Sequence, residues 1–305
     1  MSEPLLANAV IVGVEKAGTT SLFRSMSEHP EVAPSSVKET RYFQSLLYGG
    51  TLEPVDVYAS YFEAATSEPV RLEATPRYFQ GGETVARAMN ETLGAFRALL
   101  VLREPIARFA SAFDFQKARL RIPEDVTADE YLDRAAAMTD ADFEDPANHA
   151  WFAVRGGRYA DWFPAWQAAL GDRLLVLSFD ELIADTPSTL RDTATFLGID
   201  PEGYPSYEFA FENKTTAYKR AGVQRVALAV NDRFERFFRR HYGLKERLRG
   251  AYYRLNGAAA RRATITPAVR SRLEAIYAEP NARLASQLTS SGVALPAWLR
   301  SATAR

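Results

Sequence analysis

The chain has no cysteine, which excludes disulfides, thiolate nucleophiles and cysteine-ligated zinc or iron–sulfur centres. Its three histidines, His29, His149 and His241, leave little for a histidine-based metal centre, so no metal site is expected. No apolar run approaches the roughly 18–20 residues that a spanning helix needs. The first residues, MSEPLLANAVIVGV, lack a basic leader and a cleavage site, so no signal peptide is expected and a cytoplasmic location follows. Net charge is nearly absent as well: 37 Lys+Arg against 38 Asp+Glu give −1. Repeats at 20–50 residues and low-complexity tracts are missing. What remains is an ordinary globular composition, 47% hydrophobic and 25% charged over 305 residues. That length fits one large α/β domain or two small ones. The lack of a long Gly/Ser/Pro linker favours a single domain over 1–305.

The even charge balance conceals an asymmetry. Residues 219–262 hold 13 Lys/Arg against the three acids Asp232, Glu235 and Glu246, so this segment is +10 and the remainder is −11. From Val223 to His241 the apolar positions Val223, Val226, Ala227, Val230, Phe234, Phe237 and Phe238 form a stripe at helical spacing, surrounded by arginines. A basic amphipathic helical insertion is expected over about 221–262. The acidic stretch at about 120–150 reads as a helical excursion over the sheet.

Elsewhere strands and helices alternate. Ala9–Val12, Val70–Glu73, Ala98–Leu102 and Leu174–Leu177 are short apolar runs of the kind that form buried strands. Helices are expected over Thr19–Glu28, Ile106–Lys117 with Pro105 in the first turn, Thr186–Leu197 and Pro267–Leu288. Apolar strands separated by helices imply an α/β fold with a central parallel sheet covered on both faces.

The strongest local signal follows the first strand: Gly13-Val14-Glu15-Lys16-Ala17-Gly18-Thr19-Thr20-Ser21. A strand, a glycine-bearing loop and a helix start make an anion site, because the helix offers free N–H groups and the positive end of its dipole. Lys16 adds a full charge, and Thr19, Thr20 and Ser21 add hydroxyls. The glycine spacing is that of a Walker A loop, G-x-x-x-x-G-K-[ST]. Thr19, however, occupies the lysine position, and the loop's only lysine is Lys16. This weighs against a nucleoside triphosphatase or kinase, whose lysine must reach the β/γ-phosphates.

Lys16-Ala17-Gly18-Thr19-Thr20-Ser21-Leu22 resembles the 5′-phosphosulfate loop of sulfotransferases that use 3′-phosphoadenosine 5′-phosphosulfate (PAPS). Leu102-Arg103-Glu104-Pro105 through Ser111 is similar to that family's 3′-phosphate motif, and the match falls on Arg103 and Ser111. Lys38-Glu39-Thr40-Arg41-Tyr42-Phe43 resembles the segment that carries a catalytic glutamate in the glycosaminoglycan or Golgi-type branch. Glu73-Ala74-Thr75-Pro76-Arg77-Tyr78-Phe79 is similar to that branch too, with Ala74 where the branch has lysine. Asn213-Lys214-Thr215 and Glu279-Pro280-Asn281 with Leu284 are weaker echoes. The resemblance covers about 8–117, 155–216 and 264–290, and it implies a P-loop-like sulfotransferase domain.

What the resemblance implies for the site is specific. PAPS would be held by Lys16, Ala17, Gly18, Thr19, Thr20 and Ser21 at its 5′ end and by Arg103 and Ser111 at its 3′-phosphate. The family's further basic contact with the 3′-phosphate falls on Lys219/Arg220 or on Arg261/Arg262, which flank the insertion. Glu39 would be the general base for an acceptor hydroxyl, with its pKa raised by partial burial beside Tyr42 and Phe43. Lys16 would neutralise the departing phosphate. Glu73 and Arg77 would be acceptor contacts or sheet-edge residues. The acceptor would be a carbohydrate, a lipid-borne sugar or a small metabolite. Three readings of the insertion stay open: a peripheral helix on an anionic membrane over about 223–254, a cap on the site, or a core-packed helix with a solvated basic face. A basic membrane-surface binding module and a P-loop-like kinase are the rival functions. Nucleic acid is not an expected partner, since −11 elsewhere would repel phosphates and no recognition motif is present. The Ala/Arg-rich composition points to a bacterial source.

Overall fold

The computed structural model describes residues 4–205, 217–233, 248, 250–252, 254–258 and 264–303. Asn213, Lys214, Thr215, Phe234, Phe237, Phe238, Arg261 and Arg262 lie outside them. Five strands form one sheet: β1 (Ala9–Gly13), β2 (Val32–Pro34), β3 (Val70–Ala74), β4 (Arg97–Leu102) and β5 (Leu174–Ser178). Their order is β2-β3-β1-β4-β5, and every neighbouring pair is parallel. Every residue of β1 is buried, as are the last five of β4, which is why both read as unbroken apolar runs rather than alternating ones. The strand missing from the sequence reading is β2. It is three residues long, ends in Pro34 and forms one edge, where a proline is tolerated.

Helices with described bounds include α1 (Thr19–Ser27), α2 (Val55–Ala59), α3 (Gly82–Leu93), α4 (Pro105–Ala118), α5 (Ala128–Ala137), α6 (Phe163–Leu170), α7 (Phe179–Ala184), α8 (Thr186–Leu197), α9 (Ala221–Arg233), α10 (Pro267–Ser290) and α11 (Ala297–Thr303). Glu104 caps α4 by accepting from Ile106 and Ala107, and Pro105 occupies a first-turn position that has no N–H to satisfy.

The main core surrounds the sheet, with Val10, Ile11, Leu72, Leu99, Leu100, Phe79 and Trp166 among its fully buried members. A second cluster joins α4 (Phe109, Phe113) to α5 (Tyr131, Leu132), to Trp151 and to α10 (Leu273, Tyr277). The excursion expected over the sheet therefore packs on α4 and α10 instead. Its helical part is α5 and short 3-10 turns, lashed down by Tyr131 Oη donating to the Ala150 carbonyl at 2.6 Å and by the wholly buried Arg108 donating to the Ala153 carbonyl. The core-packed reading of the basic insertion fails for the described part of its stripe. Val223, Val226 and Val230 are 43%, 64% and 44% exposed.

Candidate active site

The loop after β1 is shaped by close approach. A Cβ at Gly13 would lie 2.7 Å from Phe79, and one at Gly18 would lie 2.8 Å from the Phe179 ring. Gly18 also takes φ +77°, a left-handed conformation that a side chain strains. Lys16 adopts φ +72° without that freedom, at a cost of about 1–3 kcal/mol that persists only where the surroundings enforce it. Part of that enforcement comes from β4, since Arg103 donates to the Lys16 carbonyl at 2.8 Å. The N-cap residue of α1, Gly18, has no side chain to cap it, and the positive end of the helix faces the loop. Ala17, Thr19 and Ser21 are buried, and Thr20 is half-buried.

Two cations line this end. The Lys16 ammonium sits 4.1 Å over the Phe115 ring, and burial, with Arg103 and Arg119 nearby and Glu15 opposing, lowers its pKa to about 8. The Arg103 guanidinium stacks 4.5 Å over Phe179. Ser111 is half-buried in the second turn of α4. Lys219 and Arg220 are exposed, and both backbones are held by the buried Asn256: Lys219 N donates to its carbonyl at 2.8 Å and Arg220 N to its Oδ1 at 3.0 Å. Gln224 then donates to the Ala118 carbonyl at 2.7 Å, tying α9 to the end of α4.

The second group of residues comes from the turn after β2. Glu39 N donates to the carbonyl of Ala74, the last residue of β3, at 2.9 Å. Glu39 and Arg41 are both left-handed, at φ +67° and +60°. The Glu39 carboxylate, 40% exposed, lies 3.0 Å from Lys38 and 3.7 Å from Arg41. The expectation of a raised pKa is overturned here. Desolvation pushes the carboxyl up, but Lys38 and Arg41 outweigh it and hold the pKa below the ordinary glutamate value. Tyr42 and Phe43, expected beside Glu39, are buried instead, with rings 4.8 and 5.7 Å from Tyr58.

Glu73 is not a sheet-edge residue: β3 lies between β2 and β1, and Glu73 is fully buried. Its Oε1 accepts from Thr40 and Thr75 Oγ1, both at 2.7 Å, and from Tyr78 Oη at 3.0 Å, while Oε2 accepts from Tyr58 Oη at 2.8 Å. Burial raises its pKa against the pull of these four hydroxyls. Arg77 donates to Tyr48 Oη, and its charge helps hold down the Glu15 carboxyl.

Glu15 and His149 are functional candidates that the sequence did not single out. Their side chains meet at 2.9 Å across 134 residues. Burial raises the Glu15 pKa, but His149, Arg77 and Lys16 prevail and leave it well below the ordinary range. An ionised carboxylate only accepts, so Nε2 of His149 carries the proton. Burial pushes the pKa of that ring down, with the Glu15 carboxylate pulling it back up. Arg119 lies over the Phe115 ring and helps lower the Lys16 pKa, and the charge of Arg121 helps lower that of His149. Among the described residues no group of three or more His, Asp or Glu is arranged to hold a metal ion. Among them, too, no helix is long and apolar enough to cross a membrane.

The family model described as a sulfotransferase domain matches residues 6–240. The chain belongs to the sulfotransferase family. Among its sulfotransferase relatives, heparan sulfate glucosamine 3-O-sulfotransferase 3B1 of Mus musculus is 28% identical over 201 residues, 64% of this chain and 46% of that protein. The membrane-associated sulfotransferase kil1 of Dictyostelium discoideum is 37% identical over 113 residues, 36% of this chain and 23% of that protein. The chain thus matches less than half the length of these curated relatives. A sulfotransferase from Alicyclobacillus acidocaldarius shares the fold, with TM-score 0.67 and 21% identity over 98% of this chain and 99% of that one. Resemblance to the Golgi-type branch, read from the Lys38–Phe43 segment, accords with the heparan sulfate relative.

Proposed function

We propose that this sulfotransferase moves a sulfonyl group from PAPS to a hydroxyl of a carbohydrate, glycolipid or small metabolite. The single observation that best supports this is the Arg103 bond to the Lys16 carbonyl, because it sets the 3′-phosphate motif against the 5′-phosphosulfate loop. In this reading the N-terminus of α1, with Lys16, Ala17, Gly18, Thr19, Thr20 and Ser21, receives the 5′-phosphate. Arg103 and Ser111 receive the 3′-phosphate, joined by Lys219/Arg220 or by Arg261/Arg262. The site rests on one domain bearing the excursion at about 120–150 and the basic insertion at about 221–262.

Glu39 takes the proton of the acceptor hydroxyl as the new O–S bond forms. Lys16 balances the charge on the phosphate oxygen that keeps the electron pair of the broken S–O bond. A carboxylate held below its ordinary pKa is a weak base. An acceptor that draws Lys38 or Arg41 away from Glu39 raises its basicity at the moment it is needed. Arg77, which bonds to Tyr48, is the further residue that would contact the acceptor. This chemistry calls for no metal.

Calorimetric titration with 3′-phosphoadenosine 5′-phosphate in EDTA tests the reading. Micromolar binding that is lost in Lys16→Ala and Arg103→Ala, and that ATP does not match, is the expected result. Absent binding, or ATP binding that needs Mg²⁺, sinks it in favour of a kinase-like function.

A separate observation bears on where the enzyme works. The exposed Val223, Val226 and Val230 share α9 with the exposed Arg225 and Arg233, a combination suited to anionic lipid. We therefore place it as a peripheral protein on the cytoplasmic face of the membrane, in contact through about 223–254. Co-flotation with phosphatidylglycerol vesicles, weakened by Val226→Asp, is expected. Equal flotation of both proteins rejects it.

A further inference from the structure

Glu39 and Arg41, the two left-handed residues of the acceptor turn, have no glycine freedom to hold them there, so something nearby must fix the turn. The amides that follow Glu39 and Thr40 show what does. Arg41 N donates to Thr75 Oγ1 at 3.3 Å, Tyr42 N to Thr40 Oγ1 at 3.4 Å, and Phe43 N to Tyr78 Oη at 3.3 Å. Those three oxygens are the same three that lie within donating distance of Oε1 of Glu73, and Thr40 Oγ1 and Tyr78 Oη also stand 3.2 Å from each other. A hydroxyl has one hydrogen and two lone pairs. Once its hydrogen is committed to a buried carboxylate, its lone pairs are left to receive an amide. Three consecutive amides are caught in this way, each by a hydroxyl that Glu73 orients.

We infer that Glu73 is the positioning residue of the Glu39 turn, acting through Thr40, Thr75 and Tyr78. Arg41 is one of two cations paired with Glu39, the other being Lys38, so fixing the Arg41 amide steadies one side of that pairing. The Glu39 amide is anchored one residue from Glu73, at Ala74. The fourth hydroxyl, Tyr58 Oη on Oε2, keeps the carboxylate itself in place. Its ring packs 4.8 Å from Tyr42. An ionised Glu73 accepts all four hydrogens at once. A glutamine keeps one acceptor oxygen but turns an N–H₂ toward part of the ring of donors, so at least one hydroxyl must reverse. The catalytic importance of this arrangement rests on the proposed role of Glu39; the arrangement itself does not.

Amide hydrogen exchange on the full chain, with 3′-phosphoadenosine 5′-phosphate binding as a control, tests the inference. In Glu73→Gln the amides of Arg41, Tyr42 and Phe43 are expected to exchange at least tenfold faster while those of β1 and β4 keep their rates. The titration of Glu39, followed by its carboxyl carbon resonance, is expected to move up toward the ordinary glutamate value as the Arg41 pair loosens. Should Glu73→Gln fail to fold, the pair Thr75→Val and Thr75→Ser addresses one hydroxyl alone. Valine frees the Arg41 amide and serine restores it. Unchanged exchange at 41–43, an unmoved Glu39 titration, or a uniform rise across the whole sheet overturns the proposal. Nucleotide binding is expected to survive every one of these variants. Its absence in the unmodified chain would fail the sulfotransfer reading and leave the exchange result standing.

Discussion

The loop at 13–21 and the turn at 38–43 solve opposite problems with similar backbone. Each contains left-handed residues that are not glycine, Lys16 in one and Glu39 with Arg41 in the other. The loop leaves the start of α1 without a side-chain cap from Gly18, the place where the proposed function puts the 5′-phosphate. The turn spends three consecutive amides inward on hydroxyls that belong to a buried carboxylate. On the proposed reading, a phosphate meets backbone amides there, with Lys16 supplying the charge. A general base must be aimed, and aiming takes side chains.

The largest expected effect is at the aimed end. Glu39→Gln should lower sulfonyl transfer by roughly 10²–10⁴-fold, the usual worth of a positioned base, with calorimetric nucleotide affinity unchanged. An affinity that falls with the rate would erase the distinction between the two ends. Lys16→Ala should cost about 10²–10³-fold in transfer, as loss of one charge-stabilising group does, and should weaken nucleotide binding together with the rate.

Smaller changes probe how each piece of backbone is held. Gly18→Ala meets both the Phe179 ring and φ +77°, so a loss of about 1–3 kcal/mol in denaturant unfolding is expected. An unaltered midpoint would show that the loop has slack. The smallest effect concerns pH. Lys16 is protonated below its pKa of about 8, and deprotonation removes the charge that attracts phosphate. Nucleotide affinity should therefore be flat below that pH and decline above it, with the turning point shifted upward in the complex because the bound anion favours the cation. In Lys16→Met the decline should vanish.

The loop at 13–21 and the Arg103 junction were open to reading because their parts are contiguous. Gly13 to Ser21 run in sequence, and Arg103 follows an apolar strand and precedes Pro105, each a local signal of a strand-to-helix junction. The parallel sheet was open for the same reason, through the fully buried runs of β1 and β4. The acceptor end was not. The ring around Glu73 gathers Thr40, Tyr58, Thr75 and Tyr78 from three segments, and hydroxyl residues at those positions carry no periodicity. The Glu15–His149 pair spans 134 residues, a distance that no pattern marks. The strand β2 is too short to show a period, and the pKa of Glu39 depends on where two neighbouring cations turn once the backbone goes left-handed.

The buried Asn256 has a consequence beyond steadying Lys219 and Arg220. It bonds across 36 residues to Arg220 in both directions, beside the antiparallel pair of β6 (Ala217–Tyr218) and β7 (Gly257–Ala258). The two ends of the basic segment are therefore clasped side by side, about 5 Å apart, with Asn256 also bonded to Tyr252. Such a clasp makes the segment an exchangeable cassette. Its interior can lengthen, shorten or change sequence without moving a strand of the sheet, because loop closure has been settled at its neck. A lineage of these enzymes can thus alter what its basic segment touches while the machinery around Lys16 and Arg103 stays where it is.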